Sequence, residues 1–135
     1  MSSGRFLDTN VLVYAHSERD DRTAIARQFL FEGGVISVQV LNEFASVARA
    51  KLGFTWPQVQ EAIDSIVVLC PAPRSLSIDT HLRALELSKR YGFSIWDGLI
   101  VAAAIEARCS TLMTEDLQHG QMVEGLRIEN PFLMQ

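Results

Sequence analysis

Short apolar runs alternate along the chain with longer stretches whose apolar residues recur every three to four positions, the first pattern reading as buried strands and the second as helices. Arg5-Phe6-Leu7 ends at the turn-prone Asp8-Thr9-Asn10 and predicts a buried strand entering a loop. Thr23 to Phe31 reads as a helix stopped by Gly33-Gly34. Val35-Ile36-Ser37 predicts a second strand. Val40, Phe44, Val47, Ala48 and Leu52 mark the apolar face of a helix closed by Gly53. Thr55-Trp56-Pro57-Gln58 has the form of a capping box with an early proline, and opens another helix. Ile66 to Cys70 is apolar, rich in β-branched residues and ended by Pro71 and Pro73, which predicts a third strand. Helices follow from about Ser77 to Tyr91, with Gly92 as the cap, and from Ser94 to about Ala107. Thr111-Leu112-Met113 and Leu126-Arg127-Ile128 predict the fourth and fifth strands. This alternation predicts an α/β fold whose parallel sheet is covered by helices on both faces. No repeat or Gly/Ser linker divides residues 1–135, so one compact domain is expected.

Composition narrows the classes without naming one. Hydrophobic residues make up 48% and charged residues 21% of the chain, which excludes a disordered tail, a collagen-like repeat and a coiled-coil rod. The longest apolar run, Leu99 to Ile105, is far shorter than the roughly 20 residues that span a bilayer. Asp8 falls too early for the apolar core of a signal peptide, so a cytoplasmic chain with no membrane association is expected. Cys70 and Cys109 have no paired spacing and read as small buried hydrophobes. Twelve basic and sixteen acidic residues give a net charge of −4, which argues against sequence-independent duplex binding. Carboxylates committed to divalent cations would cancel that excess, so a nucleic-acid substrate stays open.

The acids carry the chemistry. Asp8 follows the first predicted strand, Glu43 lies near the start of the helix after the second, and Asp116 follows the fourth. Ligands of open α/β sheets bind in the crevice beyond the carboxyl ends of the strands, which is where these three acids would meet. Asp97 sits in the first turn of the helix preceding the fourth strand. Each acid has an ordinary structural use as well: an Asx turn for Asp8, a helix-boundary position for Glu43, a capping box with Ser94 for Asp97 and a loop acid for Asp116. Yet the segment after Asp97 is apolar nearly all round, and a carboxylate at the start of a buried helix needs several donors or a cation. Like charges held together repel unless a cation separates them, and oxygen-rich sites favour hard ions such as Mg²⁺ or Mn²⁺. The expected chemistry is metal-assisted hydrolysis at a phosphoryl group. His16, His81 and His119 are scattered, and no phosphate-cradling glycine loop competes.

Phe6-Leu7-Asp8-Thr9-Asn10, Asn42-Glu43-Phe44, Ser94-Ile95-Trp96-Asp97 and Thr114-Glu115-Asp116, in this order and spacing, resemble the PIN-domain ribonucleases, with the VapC-type toxins of toxin–antitoxin pairs as the nearest pattern. The resemblance implies a three-layer α/β/α sandwich and a Mg²⁺- or Mn²⁺-dependent endoribonuclease acting on RNA. It also implies a homodimer held by a cognate antitoxin. By the same resemblance Asp8 and Asp97 are metal ligands, Asp116 completes that site or a second one, and Glu43 acts through water or orients the nucleophile. Thr9, Asn10 and Thr114 would support these acids, and Trp96, where relatives carry Tyr, would affect packing only. Phe29, Phe31, Phe44 and Phe54, on and around the early helices, supply more aromatic area than a small core must hide and are a candidate surface for the partner's apolar anchors, burial in the core being the ordinary use of each. Two other readings share part of the pattern. A phosphoacceptor receiver-like module needs a lysine after a late strand, and Lys51 and Lys89 both fall in predicted helices. A PIN domain retained only for binding would not need the four acids.

Overall fold

The computed structural model describes residues 4–18 and 20–133. Strand β1 (Arg5–Leu7) leads into α1 (Thr9–Ala15), followed by α2 (Thr23–Glu32), α3 (Val38–Ala50), α4 (Trp56–Leu69), α5 (Ile78–Tyr91) and α6 (Ile95–Glu106). The chain then forms β2 (Thr111–Met113), β3 (Met122–Val123), β4 (Leu126–Glu129) and a short 3-10 turn at Pro131–Leu133. The sheet order is β1-β2-β4-β3, with β1, β2 and β4 parallel and β3 antiparallel to β4. Successive strand residues point to opposite faces, and Phe6, Leu7, Leu112 and Met113 are all fully buried. Both faces of the sheet's centre are therefore covered by helices, giving the expected three-layer α/β arrangement.

Four expectations need correction. The sheet is mixed rather than wholly parallel, because Gly125 at positive φ turns β3 back onto β4. Asp8-Thr9-Asn10 does not open a loop: Asp8 caps α1, whose Val11, Leu12 and Ala15 are buried at helical spacing. Ile66 to Cys70 is not a strand but the last turn of α4. Val59, Ala62 and Ile66 share its buried stripe while Val68 is exposed, and the Thr55/Gln58 capping box starts a helix that nothing breaks before Pro71. Val35-Ile36-Ser37 is extended but makes only isolated bridges. Val35 pairs with β1 on one side, and Ser37 pairs with Arg74 on the other.

The remaining elements follow local rules. Ser37, Thr55, Ser77 and Ser94 each cap the helix that follows, and Gly92 closes α5 in the left-handed conformation. Helix α6 buries every residue from Gly98 to Ala104. It lies so close to α5 that a Cβ on Gly98 would sit 2.8 Å from the Ala84 carbonyl oxygen. Cys70 and Cys109 are buried free thiols. Of the four phenylalanines read as one docking surface, Phe44 is fully buried, Phe29 and Phe54 pack against the core, and only Phe31 is largely exposed. No described helix is long and apolar enough to cross a membrane.

Candidate metal and active site

Parallel pairing brings the carboxyl ends of β1 and β2 to one edge, where the Asp8 N–H donates to the Met113 carbonyl at 3.0 Å. Asp8 and Thr114 thereby become neighbours across the end of the sheet. Asp8 is buried, accepting 2.6 Å and 2.8 Å hydrogen bonds from the Thr9 N–H and the Thr114 hydroxyl. Thr114 in turn accepts from the Asp116 N–H at 3.0 Å and from the Asn10 amide at 3.2 Å. The same Asn10 amide donates to Asp116 Oδ2 at 3.2 Å. One hydroxyl and one amide thus hold Asp8 and Asp116 together. Asn10 Oδ1 is buried within this arrangement without a partner.

Glu43 enters from α3. Its two carboxylate oxygens accept from the Thr9 hydroxyl at 2.9 Å and from Gln39 at 2.8 Å. Gln39 lies one turn before Glu43, so this arm of the clamp is built within α3, while Thr9 reaches across from α1. Asp97, in the first turn of α6, is half-buried and bonded to Ser94. No hydrogen bond joins Asp97 to the other three acids among the described residues. The charges of Asp116 and Glu43 do reach it.

The electrostatics match this crowding. Burial pushes Asp8 up to about 7 from the ordinary 3.8, against the pull of its bonds from Thr114 and Thr9, and the charges of Asp116 and Glu43 add to the rise. Asp97 is raised by burial and then by Asp116 and Glu43, with its Ser94 bond opposing. Asp116 faces solvent on one side; desolvation on the other raises it, Asn10 opposes, and Glu115 and Glu43 add. Among the described residues no Lys or Arg forms an ion pair with any of the four. Nor do three carboxylates, imidazoles or thiolates among them already close on one point as a complete ligand cage. The donor set is nevertheless a hard-cation set: repelling carboxylate oxygens and a buried amide oxygen with a free lone pair. Mg²⁺ commonly takes one or two carboxylates and keeps several waters, so it needs no closed protein cage.

Sequence reasoning missed the second tier of this site. The Tyr14 hydroxyl donates to Glu115, next to Asp116, and Arg22 pairs with that same carboxylate at 3.2 Å while its guanidinium lies 4.1 Å over the Tyr14 ring. Tyr14 belongs to this cluster only because α1 is a helix, which the predicted loop concealed. Gln39 was legible as the residue four before Glu43. His16 bonds the Leu12 carbonyl, and His119 accepts from the Asn130 N–H, so neither serves the acids. Trp96 is 60% exposed and lines the groove above the acids.

That groove has a volume of about 840 Å³ and runs between α1 and α3, with Thr9, Asn10, Glu43 and Asp116 at its acidic end. A buried carboxylate, Asp8, tied through Thr114 and Asn10 to a groove-lining one, Asp116, at the carboxyl end of a parallel sheet is an arrangement for handling a cation and a polar substrate together. The chain belongs to the PIN domain family, whose pattern matches residues 5–124. No curated protein matches the sequence. Among solved structures, the fold is similar to a toxin–antitoxin complex from Klebsiella pneumoniae, with a TM-score of 0.72 and 22% identity over 94% of this chain and 97% of that one. It is similar also to VapC20 of Mycobacterium tuberculosis, a sarcin-ricin loop cleaving toxin, with a TM-score of 0.67 and 18% identity over 89% and 97% of the two chains. A third likeness is to VapBC2 from Rickettsia felis bound to a DNA fragment from its promoter, with a TM-score of 0.66 and 25% identity over 93% and 97%.

Proposed function

We propose that this chain is a Mg²⁺- or Mn²⁺-dependent endoribonuclease, the toxin of a toxin–antitoxin pair. The observation that carries the reading is the Thr114–Asn10 bridge, which holds Asp8 and Asp116 together with no cationic side chain to offset them among the described residues. Holding like charges in partial burial is costly unless something cationic enters. Asp8, Asp97 and Asp116 would hold the ion, and Asn10 Oδ1 offers an acceptor for one of its waters. Bound there, the ion supplies an activated water and offsets charge on the phosphoryl oxygen. Glu43, fixed at both oxygens by Thr9 and Gln39, orients the attacking water and accepts its proton. Thr114 fixes the Asp8 carboxylate through its hydroxyl.

The toxin role and the cognate antitoxin are supported by the PIN family membership and by structural neighbours that are toxins and toxin–antitoxin complexes, and a homodimer is proposed with them. A cytoplasmic location follows from that role. The receiver-like alternative lacks its clamp, since Lys51 caps the C-terminus of α3, Lys89 lies within α5, and neither follows a strand. The test is RNA cleavage by the purified chain with Mg²⁺ or Mn²⁺ against a chelator, beside Asp8→Asn and Asp97→Asn. Cleavage should require the metal and vanish in both variants while both remain folded. Activity that survives chelation and Asp8→Asn refutes the proposal. Folded protein that binds RNA yet never cleaves it supports the binding-only alternative.

A further inference from the structure

The groove above the acids has an unusual wall. Gln39, Asn42, Glu43, Ser46, Val47 and Lys51 fall along one face of α3 and line it from end to end. Glu43 stands at the acidic end. Lys51 lies eight residues further on, roughly 12 Å along the helix, and is the one basic residue lining the groove among those described. Trp96 closes the rim beside Asp97, and its indole is 60% exposed. The molecule's other tryptophan, Trp56, is comparably exposed but is covered by the Arg49 guanidinium at 4.6 Å. Among the described residues no ring and no cation covers Trp96.

Phosphate contacts ordinarily dominate nucleic-acid affinity. Here the net charge is −4, the groove floor is acidic and a single lysine lines the wall, so that contribution is small. A polyanion held in this groove therefore needs contacts that do not depend on charge, and base stacking on an aromatic face is such a contact. A duplex keeps its bases inside the stack, whereas a single strand can offer one. We infer that Trp96 is a base-stacking platform for single-stranded RNA, which it grips at the nucleotide beside the scissile phosphate, while Lys51 takes a phosphate further along the strand. This rests on the nuclease reading above and deepens it: it names a residue that positions the substrate strand.

The test uses the full chain carrying Trp56→Phe, so that Trp96 is the only indole. Stopped-flow mixing with a single-stranded oligoribonucleotide in Mg²⁺ should quench its fluorescence before cleavage, and a blunt RNA duplex should not. In the same background Trp96→Leu should raise KM for the single strand roughly 5- to 100-fold with kcat much less affected, and Trp96→Phe should restore most of the loss. Lys51→Gln should lower the salt dependence of KM by about 0.7 in logarithmic slope, the share of one single-strand phosphate. An unchanged KM in Trp96→Leu, or cleavage without quenching, overturns the platform and leaves the nuclease intact. If Trp96→Leu loses a co-expressed protein partner while its RNA parameters hold, the indole belongs to a protein interface and the stacking role is wrong. Folded wild-type chain that neither binds nor cleaves RNA removes both readings together, and the Trp56→Phe background is used only where it cleaves as wild type does.

Discussion

Asp8 concentrates the tension of the site: a carboxyl group buried at the foot of the groove, hydrogen-bonded by Thr9 and Thr114 and facing other acids. Between 3.8 and about 7 the metal-free folded chain retains a proton on Asp8 that the unfolded chain has released. Its contribution to stability is therefore greatest near pH 4 and falls as pH rises through about 7. Asp8→Asn removes this dependence, so in chelator the variant should melt above wild type at pH 8 and the difference should shrink toward pH 5. Melting curves across that range check it, and a wild-type midpoint that rises steadily from pH 5 to 8 while the variant's stays level contradicts it. Tyr14 acts one step out, through Glu115. Tyr14→Phe should cost about 1–2 kcal/mol and raise the Mn²⁺ concentration needed for half-maximal cleavage, because the loop carrying Asp116 loses a tether. An unchanged Mn²⁺ requirement would show that the tether does not set Asp116. Most of this scale was legible in the sequence, since Asp8, Glu43 and Asp116 needed only the rule that strand ends converge. The Tyr14–Arg22–Glu115 cluster was not, because it joins residues about 100 positions apart through a helix that the sequence pattern disguised as a turn.

At the scale of elements, the capping signals were reliable and the short apolar runs were not. Ser77, Ser94 and the Thr55 capping box start helices where the sequence placed them, because a cap is a local hydrogen bond. Ile66 to Cys70 was misread because five apolar residues suit a buried strand and a helix end equally; only the packing of Ile66 beside Val59 and Ala62 decides. Ile66→Ala should accordingly cost about 2–4 kcal/mol, and Val68→Ala, on the exposed side, less than about 0.5 kcal/mol. Equal losses in denaturant melts would contradict the helix. The contact of α5 with α6 is set by Gly98, against which Ala84 and Ser88 sit without room for a methyl group. Gly98→Ala should destabilise by about 1–3 kcal/mol despite alanine's better helix propensity. It should also blunt cleavage, since Asp97 rides on the same first turn of α6. Stability and activity both at wild-type level would show that the two helices separate freely.

At the scale of the whole molecule, the sheet's carboxyl edge gathers residues from α1, α3, α6 and the loop after β2 into one acidic groove. Such a groove invites either a metal ion or a cationic side chain. An inhibitory partner should therefore insert an arginine there, because a guanidinium fork satisfies carboxylates in pairs. Partner and Mn²⁺ should compete, and a partner that binds equally well at saturating Mn²⁺ without slowing cleavage excludes this mode. A docking surface for the partner's apolar anchors was not legible in the sequence, because Phe44 went into the core, Phe29 and Phe54 pack against it, and only Phe31 is largely exposed. The claim on which the rest depends is that Asp8, Asp97 and Asp116 hold the ion that makes the chain a nuclease, with Glu43 acting on its water. The direct measurement is a Mn²⁺ titration in which bound ion, read by electron paramagnetic resonance, and RNA cleavage rate are followed on the same samples of wild type and Asp8→Asn. Occupancy and rate should rise together in wild type and collapse together in the variant. Cleavage that proceeds without bound Mn²⁺, or Mn²⁺ bound as tightly by Asp8→Asn as by wild type, contradicts it.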